Sequence, residues 1–284
     1  MILVTGAGGT VGSELVKALS AAGVKFRAAY NSPTKVDQAR RNGLDAVAID
    51  YAKPETVAAA LAGADHLFLL GAGAAGQTEA EIGVVRAAKK AGVKHVVKLS
   101  VWGADGEAFS FAKVHRPVER ELEASGLGWT FLRPNGFMQN LPNFFAATIK
   151  SQGAFYMPSR GCRISHVDVR DIAAVAAKAL TDPGHEGKIY TLSGPEGLTY
   201  TEIAAKLSAA IGKPVTYVDV PDADFKKGAM AAGMPEAYTD AMLSLIHYYE
   251  GDNASRVTQD VERVAGRKPF SFDQFARDYA NAFK

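Results

Sequence analysis

The first twelve residues constrain this chain more than any other stretch. Apolar Ile2-Leu3-Val4 runs straight into Thr5-Gly6-Ala7-Gly8-Gly9-Thr10-Val11-Gly12, and an amphipathic segment, Ser13-Glu14-Leu15-Val16-Lys17-Ala18-Leu19, follows at once. The order is a buried strand, a glycine-rich turn and a helix. Glycines at that junction let the backbone turn tightly and approach a pyrophosphate, whose charge is drawn to the free N–H groups of the helix start. Gly6, Ala7, Gly8, Gly9, Thr10, Val11 and Gly12 are therefore candidate dinucleotide-binding residues.

The rest of the first half repeats the alternation. Segments 24–30, 46–49, 66–70, 95–99 and 129–132 read as strands, and 33–42, 54–62, 77–91 and 113–125 read as helices between them. Strand and helix in alternation imply an α/β fold with a doubly wound parallel sheet, the Rossmann arrangement, whose ligand lies beyond the strands' C-terminal ends. After residue 135 the pattern changes. Helical segments are expected at 168–180, 199–211, 235–249 and 271–283, with brief strands at 188–192 and 215–218. The reading is a dinucleotide-binding region over 1–135 and a mixed region over 136–284, which adds late sheet strands and a smaller, mostly helical C-terminal substrate cap.

Composition narrows the partners. The 284 residues are 48% hydrophobic, enough for a full core, and the formal charge is only +2 with acids and bases interspersed. A clustered basic footprint for nucleic acid is missing. No stretch approaches the roughly 18 apolar residues of a membrane span, and no charged leader precedes the first strand. Cys162 is the only cysteine, so no internal disulfide forms, and the six histidines show no metal-ligand spacing. The expectation is a cytoplasmic, metal-free protein with a small-molecule substrate, acting as a monomer or homodimer.

The cofactor is read where the second strand ends. An acidic residue there would bind the free ribose 2′-hydroxyl of NAD. This chain offers Asn31, Ser32 and Lys35 instead, with no carboxylate before Asp37. Amide, hydroxyl and ammonium donors suit a 2′-phosphate, so NADPH is favoured and NADH stays open, since the usual arginine is lacking. Asp50 and Tyr51 follow the third strand toward the adenine, although Asp50 could equally cap the next helix. Gly71, Ala72 and Gly73 follow the fourth strand, as clearance for the dinucleotide or as a plain loop. Asn135, Gly136 and Phe137 follow the sixth, at the nicotinamide end.

Four blocks then carry a resemblance. The glycine turn, Ala64-Asp65-His66-Leu67-Phe68-Leu69-Leu70, Leu132-Arg133-Pro134-Asn135-Gly136-Phe137-Met138-Gln139-Asn140 and His166-Val167-Asp168-Val169-Arg170-Asp171-Ile172-Ala173 occur in order, joined by the late run Leu192-Ser193-Gly194-Pro195-Glu196-Gly197-Leu198-Thr199. Together they resemble the NmrA-like branch of the atypical short-chain dehydrogenases over essentially the whole chain. That resemblance implies quinone, triphenylmethane-dye or azo-dye reductases, or redox-sensing regulators without turnover.

Ordinary members of the wider group carry Tyr-x-x-x-Lys after the fifth strand. By the resemblance, Phe111 falls at the tyrosine position and His115 at the lysine position, which removes the phenolic acid of alcohol–ketone chemistry. His115 and Glu119 lie one helical turn apart, so the carboxylate could orient the imidazole and favour its charged form. Ser100, directly after the fifth strand, is the other catalytic candidate. Each also has a purely structural reading, a helix-to-sheet hydrogen bond for His115 and a turn for Ser100. Trp102, Phe109, Phe111, Met138 and Tyr248 are candidate substrate-binding residues, an aromatic wall for a flat acceptor, with some of them expected in the cap's core instead. Such a site suits hydride transfer to electron-poor aromatics without flavin or metal. The competing class is a dinucleotide sensor without turnover.

Overall fold

The computed structural model describes residues 1–71 and 76–284. Its main sheet has seven parallel strands: β1 (Ile2–Val4), β2 (Phe26–Tyr30), β3 (Ala46–Ala48), β4 (His66–Leu69), β5 (His95–Leu99), β6 (Gly128–Pro134) and β8 (Lys188–Leu192), ordered β3-β2-β1-β4-β5-β6-β8. The order reverses between β1 and β4. In a doubly wound sheet that reversal opens the crevice in which ligands bind. Thr5 fixes its floor: its hydroxyl donates to the Phe68 carbonyl at 2.8 Å and accepts from the Leu70 amide at 2.9 Å, pinning the two strand ends together.

Strand alternation divides the core between the sheet's two faces. Ile2, Val4, Phe68, Val97 and Leu132 pack against α1 (Thr10–Ala21) and α7 (Val169–Thr181). Leu3, Leu67, Leu69, Val96 and Phe131 pack against α3 (Pro54–Leu61), α4 (Gln77–Lys90) and α5 (Ser110–Ser125). The remaining helix of this half, α2 (Pro33–Arg41), covers the β2–β3 edge through Val36 and Ala39.

The cap has its own core, in which Leu141, Ile149, Phe155, Ile203, Leu207, Phe225, Phe272 and Phe275 cluster. It is built from α6 (Asn140–Gln152), β7 (Ala154–Met157), α8 (Tyr200–Ile211), β9 (Thr216–Asp219), α9 (Asp222–Ala231), α10 (Glu236–Glu250) and α12 (Phe272–Asp278); α11 (Asp260–Ala265) packs back onto α7. Strands β7 and β9 form a two-stranded parallel sheet. Strand β7 has no counterpart in the sequence reading. Helix α5 begins at Ser110 rather than 113, which brings Phe111 into its first turn. The expected helix at 271–283 stops at Asp278, and a 3₁₀ turn, Ala280–Ala282, follows.

Candidate active site

A cavity of about 900 Å³ runs across the strand C-termini, from beyond β2 and β3 to beyond β5 and β6. Gly6, Gly8, Gly9, Thr10 and Val11 line its middle; Asn31, Lys35, Asp50 and Tyr51 line one end; Gly71 and Phe137 line it further along. Ala72 and Gly73 lie outside the described residues.

The glycine turn is folded as its sequence requires. Gly6 has φ +63°, and its carbonyl accepts from the Gly9 amide at 2.9 Å. A methyl group at Gly12 would collide with that same carbonyl, so Gly12 is fixed by the close approach of helix and turn rather than by contact with the cavity. Ala7 is likewise buried beneath the turn, its amide donating to the Ala29 carbonyl. Helix α1 starts after Gly9 with no side-chain cap and no acid in its first turn, which leaves its N–H groups and positive dipole end available to an anion. A methyl at Gly8 would stand 3.3 Å from Lys35 Nζ, so the ammonium overhangs the turn. Ser32 precedes α2 in extended conformation without using its hydroxyl as a cap, and it does not line the cavity. Asp50 borders the cavity but does not cap α3, whose N-cap is Lys53 with no side-chain hydrogen bond; the Asp50 carboxylate accepts from the Ala52 amide at 3.0 Å instead, shaping the turn before that helix. Tyr51 donates to the Leu70 carbonyl at 3.0 Å, and burial pushes its phenol well above the ordinary range.

The other end is organised by buried charge. Glu81 from α4 and Lys98 from β5 are both fully buried, with Glu81 Oε2 2.8 Å from Lys98 Nζ. Gln77, which lines the cavity, donates to Glu81 Oε1 at 2.9 Å. Lys98 also donates to the Leu99 carbonyl and lies 3.1 Å from His115 Nδ1. A methyl at Gly71 would collide with Glu81 Oε1, so this glycine makes room for a carboxylate as well as bordering the cavity.

This arrangement overturns the expected His115–Glu119 pair. Both Glu119 oxygens are taken by Arg133, at 3.0 and 2.7 Å, with Arg116 at 3.0 Å as well. His115 instead faces an ammonium, and burial together with that charge holds the imidazole well below its ordinary pKa. An ammonium within hydrogen-bond distance of Nδ1 favours the neutral ring over the charged one. Ser100 is buried, and its hydroxyl meets no hydrogen-bond partner among the described residues. An orphaned buried hydroxyl beside the cavity-lining Leu99 leaves a donor unspent.

Several expected contacts do not reach the cavity. Asn135 is fully engaged: its amide nitrogen donates to Ser165 Oγ at 3.0 Å and to the Ala254 carbonyl at 2.8 Å, and its oxygen accepts from the Gly136 amide. It ties the end of β6 to two cap loops, and Gly136 packs against His166. Trp102 is buried, its Nε1 donating to the Asn253 carbonyl at 2.7 Å. Phe109 is fully buried against Tyr248, ring centroids 4.6 Å apart, and Met138 belongs to the cap core. Phe111 does not line the cavity, but it meets a residue that does. Its ring lies edge-on to Tyr238 of α10, centroids 5.7 Å apart, and Tyr238 lines the cavity, as do Leu99 and Phe137.

Sequence reasoning missed Tyr238, Gln77 and the Glu81–Lys98 pair. A lysine among the apolar strand residues Val96, Val97 and Leu99 was a usable signal, since a buried ammonium requires a partner. Tyr238 carried none, because nothing local distinguishes it from the other cap tyrosines. Among the described residues no group of three histidine, cysteine or acidic side chains is placed to hold a metal, and no helix is long and apolar enough to cross a membrane.

Residues 1–275 match the model of the NmrA-like family. The chain belongs to that family. This NmrA-like chain is 38% identical over 284 residues to the NAD(P)H azoreductase of Xenophilus azovorans, covering 100% of this chain and 99% of the relative. Among solved structures it is similar to an NADPH-dependent quinone oxidoreductase from Escherichia coli in complex with NADPH, with TM-score 0.88, 26% identity, and coverage of 98% of this chain and 99% of the other. It is also similar to the triphenylmethane reductase of Citrobacter sp. complexed with NADP(H), with TM-score 0.86, 26% identity and the same coverage. The doubly wound architecture read from the sequence is thus that of its NmrA-like relatives.

Proposed function

We propose that this protein is an NAD(P)H-dependent reductase that directs hydride onto an electron-poor aromatic acceptor: a quinone, an azo compound or a triarylmethane dye. The observation that carries this reading is the continuity of one cavity, from the glycine turn and its uncapped helix to the rings of Phe137 and Tyr238. The residues present fit a dinucleotide. The α1 N–H groups would hold the pyrophosphate, Lys35 above Gly8 would meet a ribose 2′-phosphate, and the far end would receive the nicotinamide beside Leu99 and Phe137. When bound, the nicotinamide supplies a hydride from its C4 carbon.

The chain's own contribution is orientation and exclusion of water. The aromatic end positions a flat ring, and the buried Glu81–Lys98 pair fixes the strand end on which Leu99 and Ser100 sit. Phe111 cannot act as an acid, which sets alcohol–ketone interconversion aside and favours acceptors that take hydride readily. The similarity to azo-dye, quinone and triphenylmethane reductases supports the same class of acceptor. The single cysteine, partly exposed and without an internal partner, suits a reducing compartment such as the cytoplasm.

The test is NADPH oxidation by the purified protein with a panel of menadione, an azo dye and a cationic triarylmethane, with NADH run in parallel. Saturable turnover with at least one acceptor, and a lower KM for NADPH than for NADH, is the expected result. Tight dinucleotide binding without turnover across the panel would favour a sensor and overturn the reductase reading.

A further inference from the structure

Three tyrosines line the cavity, and their surroundings differ. Tyr30 stands at the adenosine end, its ring against Gly8. Tyr51 spends its hydroxyl on the Leu70 carbonyl. Tyr238 reaches the cavity from cap helix α10 and, through Phe111, stands by the first turn of α5, the helix that follows β5 and so lies away from Tyr30; among the described residues its hydroxyl makes no hydrogen bond. Its ring is held edge-on by Phe111, the residue standing where a catalytic tyrosine is otherwise expected. The phenol lost from α5 therefore has a counterpart, carried by the cap and braced by the phenyl ring that replaced it.

We propose that Tyr238 is a catalytic residue, donating its phenolic proton to the acceptor oxygen or nitrogen on which negative charge builds as hydride arrives. The assignment rests on the reductase reading above. For a quinone the balance is one hydride and one proton. With the bound nicotinamide supplying hydride to one quinone oxygen, the displaced electron density would collect on the other oxygen, where a new O–H bond would form as the Tyr238 O–H bond breaks, and water at the open side of the cavity would return a proton to the phenolate. Burial raises the phenol above its ordinary pKa, so it is protonated at neutral pH before each turnover. A cationic triarylmethane is different. Hydride adds to its central carbon and cancels the positive charge, and no proton is consumed.

That difference supplies the test, because the two acceptors share the dinucleotide, the cavity and the hydride but not the proton. Tyr238→Phe keeps the ring and its packing on Phe111. The ratio of kcat for menadione to kcat for a cationic triarylmethane is expected to fall by tenfold or more in this variant, through loss of quinone turnover. The solvent deuterium isotope effect on quinone kcat should change with it. An unchanged ratio, whether both rates hold or both fall together, would make Tyr238 a wall of the cavity and overturn the assignment alone. A wild-type protein that reduces none of menadione, an azo dye and a cationic triarylmethane would overturn the reductase reading, and the assignment with it.

Discussion

The proposed phosphate end and the proposed acceptor end of the cavity are built on different principles. At the end proposed for the phosphates the backbone supplies the fit: Gly6 takes a positive φ, Gly12 lets helix and turn touch, and α1 presents an uncapped N-terminus. All of this comes from one contiguous segment. At the acceptor end the work falls to side chains from separate elements. Glu81, Lys98 and His115 come from α4, β5 and α5, and Tyr238 comes from the cap. A general ligand handle tolerates being made of backbone, whereas acceptor choice requires side chains that differ from one relative to the next.

The largest expected effect probes the buried charge of the acceptor end. Lys98→Met leaves the Glu81 carboxylate enclosed without a counter-charge and should lower unfolding stability by about 3–5 kcal/mol in urea titration. Adding Glu81→Leu should recover most of that loss. A Lys98→Met protein destabilised by less than about 1 kcal/mol would show that the pair does not hold this end together.

Acid should act on the buried imidazoles. His166, against Gly136, is held down to about 4, His115 lies well below its ordinary value, and His95 at the start of β5 is also lowered to about 4, all through burial. Unfolding returns each imidazole to about 6.5, so between pH 6.5 and 4 the unfolded chain binds more protons and stability falls as pH falls. His95 and His166 should each remove roughly 1.5 kcal/mol between pH 6.5 and 5. Asp171, raised to about 6 by burial, opposes them: it takes up a proton in the folded chain over that window and returns about 1 kcal/mol. Thermal unfolding measured across this range should therefore show a net drop in Tm toward acid. A flat profile would mean that these imidazoles are not enclosed.

The smallest effect belongs to the phosphate end. Lys35→Ala should raise KM for NADPH about tenfold and leave KM for NADH within about twofold, since only the former carries the 2′-phosphate. Equal losses for both cofactors would move Lys35 from the ribose to the pyrophosphate.

These contrasts explain what was legible in the sequence. The glycine turn and the strand order follow from local pattern, and Gly6, Gly8, Gly9, Thr10, Val11, Asn31, Lys35, Asp50 and Tyr51 all border the cavity as read. The acceptor end depends on which way side chains point across elements distant in sequence. Trp102, Phe109 and Met138 have the composition of an aromatic pocket but face the interior, and helical spacing alone paired His115 with Glu119, a carboxylate that Arg133 had already claimed from the neighbouring strand. Local spacing names neighbours along a helix. It does not reveal a partner arriving from the sheet.

The most direct measurement of hydride delivery uses NADPH deuterated at the transferable C4 position, with a cationic triarylmethane as acceptor. The hydrogen added to the central carbon of the reduced dye does not exchange with water, so mass spectrometry reads its origin. One deuterium per reduced dye molecule is expected if the cavity brings nicotinamide and acceptor together. Reduced dye carrying only solvent hydrogen would contradict direct transfer within this site.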